Sequence, residues 1–388
     1  MTGAAETVVV YAPRPGPSWW DAAVFLAGPT PRSPDVASWR SRAVALLREA
    51  WSHTAAPGAR LVVFVPEDPE GGMHGTWEAQ VTWEDRELRR ADTIAFWVPR
   101  DLATLPGFTT NVEFGRWHGS GKAVLGAPPG APGVRYLSWY APGPVAETLP
   151  DTMAAALRHL GTPARRTGAE RDVPLHLWHR PEFQAWYGAL RAAGNELRAA
   201  RPEWSTRPVF LWTLAVEVWI RAEDRVKSNE VLVLRPDAVA VVLYRPAADP
   251  LDTEVVLVRE YRSPARTADG YVRELPGGSG PGTPVEQAVA EVREETGLDL
   301  APGRLRAHGS RQAVATLATP HGHLFSAELT APEMDRLRAA AGVPHGLADA
   351  SERTFVEVTT YRDVLAGDAV DWATLGQLTQ VLSDDRLA

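Results

Sequence analysis

Cysteine is absent from all 388 residues, which excludes disulfides, thiolate metal sites and a cysteine nucleophile together. Lysine is almost absent as well: Lys122 and Lys227 are the only two among 40 lysines and arginines, an imbalance that GC-rich coding accounts for. No basic run interleaves with aromatics, and the net charge is −8 with a pI near 5.7. Neither a nucleic-acid polymer nor an acidic lipid surface is therefore an expected partner. The longest apolar run, Val209 to Ile220, is too short to span a bilayer and carries Glu217. Met1 to Val10 has neither the basic flank nor the apolar stretch of a signal peptide, so a soluble, cytoplasmic protein is expected. No period of 20–50 residues recurs, which sets repeat architectures aside.

What is present is ordinary globular material, 45% apolar and 23% charged, in a chain long enough for two domains or three. Pro128 to Pro132 closes one apolar run, and Gly161 to Pro174 is polar and rich in breakers. The second of these marks the main boundary. The expected division is a domain over 1–160, a linker and connecting helix over 161–206, and a second domain over 207–388.

Within the first domain, apolar runs at Val8–Tyr11, Val24–Ala27, Leu61–Val65, Ile94–Val98 and Ala123–Leu125 alternate with helical patterns. Residues 36, 39, 43, 46, 47 and 50 have helical spacing, which predicts a helix over Pro34–Trp51 with Ser33 as its cap. Continuous apolar strands joined by helices predict an α/β domain, a doubly wound parallel sheet covered on both faces. After the boundary a helix is expected over Pro181–Ala200, with Phe183, Trp186, Leu190 and Leu197 on one stripe. Strand patterns then cluster at Val209–Ile220, Val231–Leu234, Ala238–Tyr244 and Glu254–Arg259. A helix over Pro284–Thr296 follows, then Leu324–Leu329, helix Ala331–Ala341, strand Thr354–Thr359 and a helix near Trp372–Leu382. That order predicts an α+β sandwich.

Two carboxylates stand out in the first domain. Trp77, Val81 and Leu88 share a helical stripe, and Glu84 falls on it. Glu84 either pairs with an arginine at the stripe's margin or faces a cleft with its pKa raised by apolar neighbours. Thr110-x-x-Glu113 fits a capping box and so a plain helix start. That helix would also begin at the carboxyl end of a parallel strand, where such sheets bind ligands. In its first turn, the helix dipole would keep Glu113 ionised. One anionic and one protonated carboxyl is a common division between nucleophile and general acid.

Phe25-Leu26-Ala27-Gly28-Pro29, Trp83-Glu84, Ala91-Asp92 and Thr110-Asn111-Val112-Glu113-Phe114-Gly115 together resemble the nucleoside 2-deoxyribosyltransferase-like superfamily over roughly residues 20–140. The resemblance implies that Glu113 attacks the anomeric carbon of a nucleoside and that Glu84 assists protonation of the departing base. It also implies a sugar-holding loop at Phe25, Gly28 and Pro29, with Asn111 and Asp92 as binding or supporting residues. Members transfer the sugar to another base or hydrolyse the bond, including that of 5′-monophosphates. An oxocarbenium-like centre trapped by an adjacent carboxylate is chemically consistent with either outcome.

In the second domain, Leu275 to Leu300 reads LPGGSGPGTPVEQAVAEVREETGLDL. Thr283-Pro284-Val285-Glu286 is a helix start and Gly297 a stop, with Val285, Ala288, Val289 and Val292 as the buried stripe. Glu291, Glu294 and Glu295 share one face. Like charges at that spacing disfavour a helix by about 0.2–0.5 kcal/mol per pair. A solvated acidic face is one reading, and a divalent cation held by oxygen ligands is the other. The segment resembles a Nudix box, with Ala290 at its arginine position, Gly282 at its earlier glutamate position and a loop from Gly278 two residues short. Val255 to Arg262, Arg273 to Gly278 and His345-Gly346-Leu347-Ala348-Asp349 extend the likeness, over roughly 210–385, to ADP-ribose pyrophosphatases. The resemblance implies Mg²⁺ (or Mn²⁺) on Gly277, Glu291, Glu294 and Glu295, a catalytic carboxylate at Glu352 where Ala350 has replaced one acidic position, and substrate contacts from Arg262 and Glu274.

His321-x-His323 suggests metal only weakly, and the fifteen tryptophans are expected mostly in the core, with some free to stack on bases. The combined expectation is a bifunctional nucleotide hydrolase, forming a homo-oligomer such as a dimer, that acts on a small nucleoside or nucleotide. Two alternatives stay open: a glycosidase governed by a ligand-sensing Nudix module, and a base-exchanging transferase.

Overall fold

The computed structural model describes residues 3–33, 35–69, 76–346 and 353–387. It divides into two compact units, one of residues 1–204 with 213–231 and one of residues 205–212 with 232–388.

The first unit runs β1 (Glu6–Tyr11), β2 (Trp19–Trp20), β3 (Ala22–Ala27), α1 (Arg40–Thr54), β4 (Arg60–Val65), α2 (Trp77–Arg90), β5 (Thr93–Trp97), α3 (Phe108–Trp117), β6 (Ala123–Gly126), α4 (Val134–Tyr140), α5 (Leu149–Leu160), β7 (Arg166–Thr167), α6 (Leu175–Trp178), α7 (Pro181–Ala192), β8 (Glu196–Ser205), β9 (Trp212–Ile220) and β10 (Arg225–Leu234). Five strands form a parallel sheet in the order β1-β4-β3-β5-β6, and β8 to β10 form a separate three-stranded sheet. The strands of the parallel sheet are apolar on both sides because both sides are covered. Val24, Leu26, Val63 and Ala95 meet Leu47 and Trp51 of α1 and Met153 and Ala156 of α5. Phe25, Phe64, Ile94 and Phe96 meet Trp83 of α2, Phe114 of α3 and Leu137 of α4. This is the expected α/β arrangement.

Strand β3 lies between β4 and β5, so the chain leaves it in one direction through α1 and returns past it through α2. That reversal opens a crevice at the carboxyl ends of β3 and β5, the place where such sheets accept ligands. Gly28 ends β3 there with φ +151°, and a Cβ would stand 2.2 Å from the Trp97 carbonyl oxygen at the end of β5. Only glycine permits that approach.

Several local expectations are corrected. Helix α1 starts at Arg40 rather than at Pro34, which lies outside the described residues, and no side chain caps it; the Ser33 hydroxyl instead accepts from the Asp35 amide in a turn. Helix α7 ends at Ala192, and Leu197 lies on β8. The stretch read as a linker folds into the first unit. Arg166 is fully buried and forks onto Asp92, Nη1 to Oδ1 at 2.7 Å and Nη2 to Oδ2 at 2.6 Å, with Nη1 also on the Val173 carbonyl. The Ala23 and Leu175 amides complete the Asp92 carboxylate, each at 2.8 Å.

The second unit continues with β11 (Ala238–Arg245), β12 (Glu254–Tyr261), β13 (Tyr271–Glu274), β14 (Gly277–Gly278), α8 (Pro284–Thr296), β15 (Arg306–Gln312), β16 (His321–Glu328), α9 (Ala331–Ala339), β17 (Pro344–His345), β18 (Thr354–Thr360), α10 (Tyr361–Ala366) and α11 (Trp372–Leu387). Its mixed sheet has the order β15-β16-β11-β12-β18-β17, with β13 on β12 and β14 on β11. Ala288, Val292, Met334 and Leu337 of α8 and α9 cover one face; Tyr361, Val364, Leu378 and Val381 of α10 and α11 cover the other. Helix α8 begins and stops where expected, at Thr283 and Gly297, and a capping box between Thr283 and Glu286 forms its start.

The Asp92–Arg166 fork ties residues from three segments, so removing one partner strands a buried charge. Arg166→Met is expected to destabilise the first unit by about 3–5 kcal/mol in chemical denaturation, against under about 1 kcal/mol if the fork were incidental.

Candidate functional site

The crevice of the first unit is organised from beneath by Arg40, an arginine that sequence reasoning passed over. It is 1% exposed, yet it sits on the buried face of α1 beside Ala43 and Leu47. Its guanidinium donates to the carbonyls of Leu26 (3.1 Å), Gly28 (2.6 Å) and Pro29 (3.4 Å) and to the Thr30 hydroxyl (3.2 Å), and it pairs with buried Glu67. The Ser38 hydroxyl holds the second Glu67 oxygen at 2.6 Å. The loop after β3 therefore has its carbonyls fixed by one cation, and Gly28 and Pro29 take their shape from it. A charged residue on the apolar stripe of α1 was the available signal, since such a residue is seldom buried without a partner.

The inward face of helix α2 is rotated from the expected stripe, which it shares at Leu88. Trp77 and Val81 are 67% and 41% exposed, while Gln80, Trp83, Glu87 and Leu88 are buried. Glu84 lies next to that face, half-buried, and its Oε1 accepts from Gln80 Nε2 at 2.7 Å. Gln80 is anchored in turn on the Pro66 carbonyl, just past β4. Burial raises the Glu84 carboxyl above its ordinary value, opposed by the Gln80 bond and by the charge of Arg40.

Helix α3 also begins differently. Gly107 is its N-cap, Thr110 is buried inside it, and the capping box is not formed. Glu113 is its sixth residue, beyond the first turn, where the free amides and dipole lie. The expected anionic bias is reversed. Burial pushes the Glu113 carboxyl up to about 8, repulsion from Glu84 adds to this, and Arg40 opposes both. Glu113, Glu84 and Arg40 are thus one electrostatic group, with Arg40 the attraction felt by both acids.

Three other expected residues take different places. Phe25 is wholly buried against Trp83, with ring centroids 6.0 Å apart, and is a core residue. Asp92 precedes β5 and so lies at the far end of a strand about 17 Å long, braced by Arg166. Asn111 is exposed, and its Oδ1 accepts from Arg100 Nη2 at 2.5 Å.

In the second unit, β14 and α8 place carboxylates against backbone. The Gly277 amide donates to Glu295 Oε2 at 2.8 Å, so Gly277 orients a carboxylate through its N–H. A Cβ on Gly278 would stand 2.4 Å from Glu291 Oε1. Burial pushes Glu295 up to about 8; the Gly277 bond opposes this, and the carboxylates of Glu291, Glu260 and Glu274 reinforce it. Glu260, which sequence reasoning missed, alternates inward on β12. Arg262 pairs with Glu260 at 2.8 Å and with Glu274 at 3.2 Å. Glu294 is half-buried on the same helix, and Glu352 lies outside the described residues, as does 347–351 of the run after His345. Among the described residues no three histidine, aspartate or glutamate side chains are arranged to hold a metal ion. His323 pairs with Asp237 at 3.6 Å.

Residues 21–131 match the model of the nucleoside 2-deoxyribosyltransferase-like family, and this part of the chain carries such a domain. No curated protein matches the chain. Among solved structures, a crystal structure of an ADP compounds hydrolase is 17% identical over 50% of this chain and 94% of that chain, with a TM-score of 0.36. No helix among the described residues is long and apolar enough to cross a membrane.

The raised Glu113 carboxyl has a defined effect on stability. Below about pH 4.5 both folded and unfolded chains hold its proton and the shift has no effect. Between that pH and about 8 the folded chain binds the extra proton, so the stability of the first unit falls as pH rises. Glu113→Gln should raise the unfolding temperature by several degrees at pH 8.5 and by nothing at pH 4, as read by thermal scans at both pH values. Equal shifts at the two pH values would contradict this electrostatic assignment.

Proposed function

We propose that the first unit breaks the bond between the anomeric carbon and the base of a nucleoside or nucleoside 5′-monophosphate, with Glu113 as nucleophile and Glu84 as the acid for the departing base. The observation that carries this reading is the burial of Glu113 with Glu84 and Arg40 both acting on its charge. It is supported by the family match, which spans Glu84 and Glu113. The reactive form has the proton on Glu84 and the charge on Glu113, a distribution that Arg40 and an oxocarbenium-like sugar both favour. A Glu113 oxygen bonds to C1 as the C1–N bond breaks, and the base nitrogen takes the Glu84 proton. Water then attacks C1, its hydroxyl staying on the sugar and its proton returning to Glu84, while Glu113 leaves as carboxylate. An acceptor base in place of water gives transfer.

Incubating the protein with nucleosides and nucleoside monophosphates, with and without a free acceptor base, should show base release. Glu113→Ala should lower that release by at least about 10³-fold. Undiminished release would remove Glu113 from the role of nucleophile, and an exchanged nucleoside would identify a transferase.

For the second unit we propose Mg²⁺- or Mn²⁺-dependent cleavage of a diphosphate such as that of ADP-ribose or NAD. Its all-oxygen donors, Glu291, Glu294 and Glu295, suit a hard cation, and the repulsion from Glu291, Glu260 and Glu274 felt by Glu295 is a charge excess that a divalent ion relieves. The ion would neutralise a diphosphate and activate water. Gly277 aims Glu295, and the Gly277-Gly278 strand fixes the wall opposite α8. A dinucleotide offers both bonds: cleavage of its diphosphate yields a mononucleotide, which the first unit can hydrolyse. A ligand-sensing second unit is favoured by one observation, the loss of the bracing positions at Ala290 and Gly282.

Adding Mg²⁺ or Mn²⁺ should raise the unfolding temperature of the second unit, and Glu295→Gln should weaken the ion's apparent affinity by about 10–100-fold. Stabilisation identical in the variant would exclude Glu295 as a ligand. Turnover of ADP-ribose or NAD separates the enzyme from the sensor.

A further inference from the structure

Residues Asn111, Phe114, Gly115 and His118 recur at helical spacing along α3, on the side turned away from Glu113. Together with Tyr136, Leu137 and Tyr140 of α4 they line a cleft of about 370 Å³. Its walls are rings in fixed relation. Phe114 stacks on His118 at 5.9 Å, His118 meets Tyr140 edge-on at 5.4 Å, and Tyr140 meets Tyr136 edge-on at 5.3 Å. A hydrogen bond between the Tyr136 and Tyr140 side chains joins the last two. Tyr136 is nevertheless 72% exposed and Tyr140 44% exposed, so aromatic surface is held open to solvent instead of folding into the core.

No aspartate, glutamate, lysine or arginine lines the cleft. Arg100, behind it, donates through Nη1 to the Pro132 carbonyl and through Nη2 to the Gly107 carbonyl and to Asn111. A phosphate would find no cation among the side chains that line the cleft. A flat ring would find π-faces to stack on, with the Asn111 amide and the His118 imidazole as polar groups at its edge. The volume is within the range of small-ligand sites, and the combination of apolar walls with few polar groups is their usual chemistry.

We propose that this cleft binds an uncharged planar heteroaromatic ring, specifically a free nucleobase. The class of ligand follows from the lining; the choice of a nucleobase within that class rests on the glycosidase reading of the first unit, for which a base is a product or an acceptor. Because the cleft and Glu113 lie on different sides of α3, it is a second site and not an extension of the carboxylate pair.

Equilibrium dialysis of adenine and of uracil against the full chain carrying Glu113→Gln tests this without turnover. Saturable binding is expected; Tyr140→Ala should weaken it at least about tenfold, while Tyr140→Phe, which keeps the ring, should retain it. Binding that is absent, that survives Tyr140→Ala, or that is replaced by an effect of Tyr140→Ala on self-association alone overturns the proposal. The two readings fail separately. Base release by the unaltered chain with no binding in the cleft sinks only this inference, and ring-dependent binding with no base release sinks only the glycosidase.

Discussion

The buried guanidinium of Arg40 is the interaction on which the first unit's site depends. An arginine withdrawn from water costs several kcal/mol unless every donor is used and its charge is met. Here the donors are used on carbonyls of the loop after β3, and the charge is met by Glu67. The same cation is what keeps Glu113 and Glu84 from being wholly unfavourable so close together. Loop shape and acid–base balance therefore share one cause. A change at Glu67 or Ser38 would act on the two acids by way of Arg40.

Both units concentrate carboxyls in places where ionisation is disfavoured. Glu113 and Glu295 are each pushed up to about 8, and in each case burial comes first and a neighbouring acid adds to it. The opposing contributions differ. The attraction on Glu113 comes from Arg40, a cation already paired with Glu67, whereas Glu295 has the Gly277 amide, a dipole that can orient a carboxylate but not neutralise it. This difference supports the proposal of covalent chemistry in the first unit and cation-assisted chemistry in the second.

The parallel sheet was legible because strands covered on both faces read as unbroken apolar runs, and Val24–Ala27, Leu61–Val65 and Ile94–Val98 all form strands. The helix from Thr283 to Gly297 was legible because its capping box and glycine stop act locally. What was not legible depends on distant residues. Asp92 sits within a family motif, yet its partner is 74 residues away, and no local pattern shows the pairing. Glu113 looked like the third residue of a capping box, but Gly107 starts the helix earlier and moves it past the dipole. The stripe through Trp77 and Val81 was apolar enough to suggest burial, while the buried face in fact carries Gln80 and Glu87.

These misreadings have a common origin, and it bears on mechanism. Sequence patterns report where apolar surface is hidden, and at a polar site that rule is deliberately violated. Gln80, Glu84, Glu67 and Arg40 occupy positions where an aliphatic side chain would pack with less strain on the electrostatics, and the cluster persists because each member satisfies another. Such a group loses stability as a protein and gains a poised proton. In the mechanism proposed for the first unit, Glu84 exchanges the role of acid for that of base between two successive steps. Glycosyl transfer through an ester requires that exchange, because the proton given to the departing base must be recovered when the ester is opened.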